Sequence, residues 1–224
     1  MFFLLRFGLP DFYDLLVHAI VLFTVIPVHE FAHGYVAYKL GDDTARLQGR
    51  LTLNPFAHLD PVGTVALLLV GFGWAKPVPV NPNRFKNRRS GMAISALAGP
   101  VANVILALLV MILYKLLIGF GFFYKMPNLG MAQNLIYIFS NIIWVSLCLA
   151  VFNLLPIPPL DGYKIFGSIL PEKYYFFIMN YEQYIFIVLL LLLTTGVLAY
   201  PITWGADLLL WVIDFITKPL NWLF

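Results

Sequence analysis

The amino-acid sequence predicts an all-α polytopic membrane protein whose core is a set of transmembrane helices. Of its 224 residues, 61% are hydrophobic and only 11% are charged, whereas a soluble domain carries about 25% charged residues. Uncharged runs recur at residues 90–114, 126–160 and 183–200. Each run is near or above the roughly 18 residues that indicate a membrane span. The chain is therefore expected to lie in the lipid bilayer.

The charged side chains do not indicate a nucleic-acid partner. The net charge is +3, and basic residues at the ends of membrane spans are better explained as orientation signals. The single cysteine, Cys148, lies in an apolar run, which excludes an intrachain disulfide. We expect no nucleic-acid partner.

The first apolar segment, residues 15–38, carries His29, Glu30 and His33 in an otherwise apolar sequence. The two histidines are four residues apart and share one helix face, about one turn from each other. Both imidazoles can therefore reach one metal ion. Glu30 is rotated about 100° from His29, close enough to hold a water on that metal. This arrangement is typical of a zinc hydrolase helix.

The next segments are predicted to be a polar loop, a short apolar element and an extended stretch. Residues 42–60 contain turn signals and predict a loop, with short strands at most. Residues 62–75 are uncharged but too short for a span, so we expect a re-entrant or interfacial segment. In residues 74–85, alternating valine and proline suit an edge strand that could capture an extended peptide. A proline-stiffened surface loop is an equal alternative.

Residues 74–90 carry an excess of positive charge directly before the next span. They contain five basic residues and no acid: Lys76, Arg84, Lys86, Arg88 and Arg89. By the positive-inside rule, this loop is expected to face the cytoplasm.

Three further spans are predicted, at residues 90–117, 131–153 and 183–200. The first of these begins with small residues that let helices approach closely. Asn103 within it is either a contact between helices or part of the site, and we favour the contact between helices. The last 20 residues place Asp207, Asp214 and Lys218 on one helical face. A helix at the membrane interface explains that pattern at least as well as a span.

A catalytic zinc ion usually takes three protein ligands and leaves a fourth position for water. His29 and His33 supply two, and the candidates for the third are His58, Asp60 and Asp161. We choose Asp161, because it follows a proline-rich segment within an uncharged region, where a lone carboxylate is costly unless it is functional. His58 and Asp60 lie in a loop rich in turn residues and are better explained as ordinary polar groups.

At this point the sequence resembles the site-2 proteases, a family of intramembrane zinc metalloproteases. The resemblance covers roughly residues 15–170. It rests on His29-Glu30-Phe31-Ala32-His33, on Gly99-Pro100-Val101-Ala102-Asn103, and on Asn153 with the Pro156, Pro158 and Leu160-Asp161-Gly162 that follow it. Residues 50–61 and 74–80 also look like the compact bacterial branch of the family. No insertion is large enough to be a PDZ domain.

The resemblance implies that His29, His33 and Asp161 bind one zinc ion per chain. It further implies that Glu30 is the catalytic acid and base, and that Asn153 helps to hold the substrate or the oxyanion. The implied reaction is hydrolysis of a peptide bond in or near a transmembrane segment of a membrane-protein substrate, which we expect to have a single span. The implied location is a bacterial cytoplasmic membrane. The sequence identifies no regulator.

The whole chain, residues 1–224, is predicted to be a single membrane-embedded protease domain, with a core at about 15–170 and a C-terminal span and interfacial helix at about 176–224. Two alternatives differ in function. An ion or metal transporter would use intramembrane His, Glu and Asp side chains spread over several spans at different depths, whereas this sequence concentrates them in one cluster. A catalytically idle relative that binds membrane partners would be favoured by loss of Glu30, which is present.

Overall fold

A computed structural model describes residues 12–70 and 75–222 and shows a helical protein. Among these residues nine α-helices form. They are α1 (Phe12–Lys39), α2 (Thr44–Leu47), α3 (Pro61–Val70), α4 (Arg88–Gly119), α5 (Leu129–Asn153), α6 (Asp161–Gly167), α7 (Glu172–Asn180), α8 (Glu182–Thr194) and α9 (Ala199–Thr217). Short 3-10 helices lie at Pro55–Ala57, Pro82–Arg84, Phe123–Lys125 and Lys218–Trp222.

Within the described ranges, four helices are long and apolar enough to cross a membrane. They are Leu15–Lys39, Arg88–Gly119, Leu129–Asn153 and Ala199–Asn221. Helices satisfy their backbone hydrogen bonds internally, which a segment in lipid requires. The polytopic all-α class predicted from the sequence is therefore confirmed.

Helix α4 is the centre of the packing and contacts α1, α5, α6 and α9. Val17, Val21 and Val25 of α1 form one buried cluster, against which apolar side chains of α4 and α5 pack. A second cluster joins α4, α5 and α9 through buried residues that include Ala107, Leu147 and Ile202. The close contact of α4 with both α1 and α6 matters most for function, because α1 carries the His-Glu motif and α6 begins at Asp161.

The polar segment between α1 and α4 contains little regular structure. The predicted loop at 42–60 holds α2 and a 3-10 turn, and its end forms an isolated bridge from Leu59 to Ala75. Residues 76–81 have neither helix nor turn, so the predicted edge strand is an extended segment rather than part of a sheet among the described residues. The predicted edge strand begins at Trp74, which lies outside the described residues. The predicted re-entrant segment contains the helix α3, and its residues 71–73 also lie outside the described residues.

The C-terminal region differs from its prediction. We expected one span at 183–200, but α8 stops at Thr194 and a new helix begins at Ala199. Gly196 has a φ of +75°, a conformation that ends helices and that glycine adopts without steric cost. The helix long enough to span is consequently α9 with the 3-10 turn after it, in the region where we expected an interfacial helix.

Candidate active site

The two histidines of α1 converge on one point inside the protein. His29 and His33 are only 6% and 8% exposed, and their Nε2 atoms lie 3.0 Å apart. The i, i+4 spacing predicts this arrangement because it places both side chains on one face of the helix. The 3.0 Å separation is a hydrogen-bond distance, and two buried imidazoles need further polar partners to offset the loss of water.

A polar partner of both histidines is Asp161, the first residue of α6. Its Oδ2 atom lies 3.3 Å from His29 Nε2 and 3.0 Å from His33 Nε2. The carboxylate is 6% exposed. The structure thus brings together the three residues that the sequence analysis selected as metal ligands.

The chain reaches this position through a tight return after α5. Prolines at 156, 158 and 159 prevent α5 from continuing, and Gly162 then packs against the end of that helix. A Cβ atom on Gly162 would lie 2.3 Å from the Leu154 carbonyl oxygen, a distance that no side chain can occupy. Glycine at 162 therefore permits the close return that places Asp161 beside α1.

The donor atoms of this cluster fit a tetrahedral zinc ion. Zinc binds histidine nitrogen and carboxylate oxygen at about 2.0–2.2 Å, so two ligands of a regular tetrahedron are about 3.3–3.6 Å apart. The three separations found here, 3.0, 3.0 and 3.3 Å, lie at or slightly below the lower end of that range. Among the described residues, these three side chains form a group that could hold a metal ion.

Helix α4 closes the cluster from the side through Gly99. A Cβ atom at this position would lie 2.3 Å from His33 Nε2 and 2.6 Å from His29 Cε1. Only a residue without a side chain lets α4 approach the imidazoles this closely. Gly99, one of the small residues predicted to allow close helix packing, lies against both imidazoles, and Ser95 and Asn103 of the same segment also contact them.

Polar groups behind the cluster orient its members. His33 Nδ1 donates to the Ser95 carbonyl oxygen at 2.7 Å, because a carbonyl can only accept. Its proton is therefore on Nδ1, and the Nε2 lone pair faces the cluster. Lys164 Nζ donates to Asp161 Oδ1 at 3.2 Å, which leaves Oδ2 to face the histidines. Such outer contacts commonly orient metal ligands.

Glu30 follows His29 directly and is not part of the three-residue group that could hold a metal ion. Its Oε2 atom accepts a hydrogen bond from the backbone amide of Val78 at 2.8 Å. Glu30, Val78 and Val80 line a cavity of about 350 Å³ together with His29, His33 and Asp161. A carboxylate at the wall of this cavity is well placed to act on a water or a substrate within it.

Asn153 is the last residue of α5 and also lines this cavity. Its Nδ2 atom donates to the Leu149 carbonyl oxygen at 3.0 Å, within its own helix. The side chain is therefore beside the site, and one of its two amide hydrogens is bonded to the backbone in this structure.

The two rejected candidates for the third ligand, His58 and Asp60, form hydrogen bonds in the loop between α1 and α3. His58 is fully buried and its Nε2 lies 2.7 Å from the Thr52 carbonyl oxygen. Asp60 Oδ1 accepts from the backbone amide of Gly63, as expected of an acid before a helix. Both interactions stabilise the loop between α1 and α3.

The sequence analysis missed two contributors to the site, Ser95 and Lys164, and for a third, Asn103, it favoured a contact between helices over a role in the site. Ser95 contacts His33 through its backbone carbonyl, a group that every residue has, so the residue type gives no indication of this contact. Asn103, interpreted as a contact between helices, has its side-chain amide 3.1 Å from His29 Nδ1. Its place four residues after Gly99 was the available signal, because both then lie on one face of α4.

A buried His-His-Asp cluster with an adjacent glutamate, set in a polytopic helical protein, defines a membrane metallohydrolase class. Comparison with known proteins identifies the family. Residues 17–193 match the peptidase family M50, the family of the site-2 proteases. Because this match covers most of the chain, the protein belongs to peptidase family M50.

Relatives in three bacteria carry the name "Putative zinc metalloprotease". The chain is 44% identical to YwhC of Bacillus subtilis over 212 residues, which cover 92% of this chain and 93% of that protein. It is 29% identical to Rip2 of Mycolicibacterium smegmatis over 193 residues, with 84% and 69% covered. For Rip2 of Mycobacterium tuberculosis the identity is 31% over 140 residues, with 61% and 50% covered. No solved structure matches the chain.

Family membership settles the general class of function. The protein is a membrane-embedded peptidase, and nothing favours the ion transporter that we considered as an alternative. The predicted resemblance to the site-2 proteases is confirmed.

Proposed function

We propose that this chain is a zinc-dependent endopeptidase that hydrolyses a peptide bond in or near a transmembrane segment, with His29, His33 and Asp161 as the zinc ligands. The observation that carries the proposal is the convergence of three buried donor atoms, 3.0–3.3 Å from one another, at the wall of a cavity that also contains Glu30. The names of the relatives support zinc as the metal. Three protein ligands leave room for water and substrate.

Glu30 is proposed as the acid and base of the reaction. When bound, zinc supplies a Lewis acid that makes water more acidic and polarises a peptide carbonyl. Glu30 would take the proton from the attacking water and return it to the leaving amine, as one residue often does in both halves of a hydrolysis. The Val78 amide, which donates to Oε2 at 2.8 Å, holds the carboxylate toward the cavity.

Asn153 is proposed to steady the substrate or the oxyanion. It lines the cavity at the end of α5, where one N–H bonds to the Leu149 carbonyl and the second N–H of the amide would donate to the substrate. Donors that face a developing oxyanion contribute strongly to rate because they are oriented before the reaction.

The substrate is proposed to be a membrane protein with a single span, held in an extended form. A helix hides its carbonyls in its own hydrogen bonds, so it must unwind before attack. In residues 76–81, the Val78 carbonyl and the Val80 amide and carbonyl have no hydrogen-bond partner among the described residues. Alternate residues of an extended chain direct backbone groups to the same side, so these groups lie on the side of Glu30 and suit pairing with a peptide.

The loop at residues 74–90 is proposed to face the cytoplasm of a bacterium. Its five basic side chains at 76, 84, 86, 88 and 89 are exposed, and exposed lysine and arginine next to a span are retained on the cytoplasmic side. Cysteine-accessibility labelling at position 86 in intact cells and in inverted vesicles tests this orientation, which predicts labelling in the vesicles only.

Replacement of Glu30 by glutamine tests the proposed function. The variant keeps the shape of the side chain and the amide contact but loses the base, so peptide hydrolysis should fall by at least about 10²-fold while zinc content stays that of the parent. Glu182→Gln is the matched control, because Glu182 begins α8 and is not among the residues that line the cavity. Unchanged hydrolysis by the Glu30 variant would contradict the assignment.

A further inference from the structure

The side chain of Asn103 lies between helices at the back of the proposed metal centre. Asn103 is 0% exposed and belongs to α4, one helical turn after Gly99. Its side-chain amide lies 3.1 Å from Nδ1 of His29, the nitrogen that points away from the cluster. The same side chain has a second polar atom, Oδ1, that is buried and has no hydrogen-bond partner.

The contact between these two residues decides which nitrogen of His29 is available to a metal. A neutral imidazole carries one proton, and the nitrogen without it is the ligand. With an amide N–H directed at Nδ1, as in this structure, Nδ1 accepts and the proton is on Nε2. His29 Nε2 then faces Asp161 Oδ2 at 3.3 Å as a donor and cannot bind a cation.

A rotation of the Asn103 amide by 180° about its Cβ–Cγ bond reverses this assignment. The rotation exchanges Oδ1 with Nδ2 and leaves the shape of the side chain unchanged. Oδ1 then accepts from Nδ1–H of His29, and the lone pair of Nε2 faces the cluster. By the same rotation Oδ1 gains a partner, and Nδ2 takes the buried position in which Oδ1 has none, so the rotation changes the tautomer of His29 rather than the number of unpartnered atoms.

His33, the second proposed histidine ligand, already has a hydrogen-bond acceptor behind it. Its Nδ1 faces the Ser95 carbonyl oxygen at 2.7 Å, an acceptor that cannot become a donor, so the proton of His33 is fixed on Nδ1. Asn103 is the side chain in the corresponding position behind His29. Unlike a carbonyl, an amide can present either a donor or an acceptor.

We propose that Asn103 is a positioning residue for the metal centre, which accepts a hydrogen bond from His29 Nδ1 through Oδ1 and so holds His29 in the tautomer that binds zinc. This inference rests on the proposed zinc site. Loss of such an outer contact typically weakens metal binding by about 10- to 100-fold.

The test measures zinc affinity of the full-length protein in detergent by competition with a chromophoric chelator. Asn103→Ala and Asn103→Leu cannot accept a hydrogen bond, and their zinc affinity should fall by about 10- to 100-fold. Asn103→Asp presents only acceptors to Nδ1–H, so its affinity should stay within about 3-fold of the parent. A mere contact between helices predicts the opposite order, because a buried carboxylate there would be less tolerated than leucine.

Asn141→Leu is the matched control. Asn141 is also a buried asparagine of a spanning helix, and its Nδ2 bonds to the Tyr137 carbonyl oxygen in its own helix, so its loss should leave zinc affinity unchanged. The inference is overturned if a folded Ala or Leu variant at 103 binds zinc as tightly as the parent. If neither folds, a loss of 10-fold or more in Asn103→Asp overturns it and retained affinity supports it. Failure of the parent itself to bind zinc would instead reject the proposed function.

Discussion

The backbone amide of Val78 donates a hydrogen bond to Glu30 Oε2 across 2.8 Å, although 47 residues separate the two in sequence. This contact joins the segment that follows α3 to the His-Glu motif of α1. Val78 also packs against that helix, because its Cγ1 atom would lie 3.0 Å from a Cβ atom on Gly34. The extended segment and the proposed catalytic carboxylate are therefore one structural unit.

Charged residues at Val78 and Val80 should slow the cleavage of helical substrates. Aspartate at both positions would repel an apolar peptide that pairs with residues 76–81, so we expect a loss of at least about 10-fold in rate for a transmembrane substrate. A short peptide without helical structure should be cleaved nearly as fast as by the parent. Zinc content serves as the control for folding, and equal rates on the transmembrane substrate would refute strand pairing.

Alanine at Gly99 should abolish metal binding. Its Cβ atom would overlap His33 Nε2, and the helices must move apart to relieve the overlap. Gly205→Ala is the control, because its Cβ atom meets Val151 at 2.8 Å in the contact between α5 and α9. We expect both variants to lose thermal stability but only the Gly99 variant to lose zinc, as measured by elemental analysis of purified protein. Zinc retained in the Gly99 variant would show that α4 does not close the site.

Alanine at Asn153 should lower turnover without loss of the metal. If the amide steadies the oxyanion, its removal costs about 10²- to 10³-fold in kcat. Asn153 donates to the Leu149 carbonyl of its own helix in this structure, so a purely structural role predicts a change in melting temperature with normal kcat. Single-turnover rates measured at saturating substrate distinguish these outcomes.

Alanine at Arg50 should loosen the segment beside Glu30. Arg50 Nη2 donates to the Lys76 carbonyl at 2.7 Å and to the Pro77 carbonyl at 3.3 Å, directly before Val78. We expect a several-fold lower cleavage rate with unchanged zinc affinity, and faster hydrogen exchange at the Val78 amide. Arg46→Ala is a suitable control, since Arg46 bonds to the Tyr38 hydroxyl on the surface. If the exchange rate at Val78 does not change, Arg50 does not hold this segment.

The chemistry-bearing residues could be selected from the sequence because their physical requirements are strict. His29 and His33 are set on one face by helix geometry alone. Asp161 could be chosen because an isolated acid within a long apolar region is costly unless it has partners, and it lies within 3.3 Å of both histidines. The selection of these three residues needed only residue types and their spacing in the sequence, and no knowledge of the tertiary structure.

Other features depend on tertiary contacts that sequence patterns do not encode. In the sequence, an asparagine that joins two helices cannot be distinguished from one that supports a metal-ligating histidine. For Asn103, only the packing of α4 on α1 distinguishes these two roles. The apolar run at 183–200 contains a break between two helices at Gly196, where φ is positive, and hydropathy carries no information on backbone dihedral angles. The alternating valines and prolines suggested a strand, yet among the described residues this segment is held by side chains of Arg50 and Glu30.

The zinc stoichiometry of matched aspartate variants tests the central claim most directly. Asp161 and Asp60 were rival candidates for the third ligand, and Asp60 caps α3. Elemental analysis of purified protein should find about one zinc ion per chain in the parent and in Asp60→Ala, and little in Asp161→Ala. Full zinc occupancy in the Asp161 variant, or an active parent that contains no metal, would contradict the account.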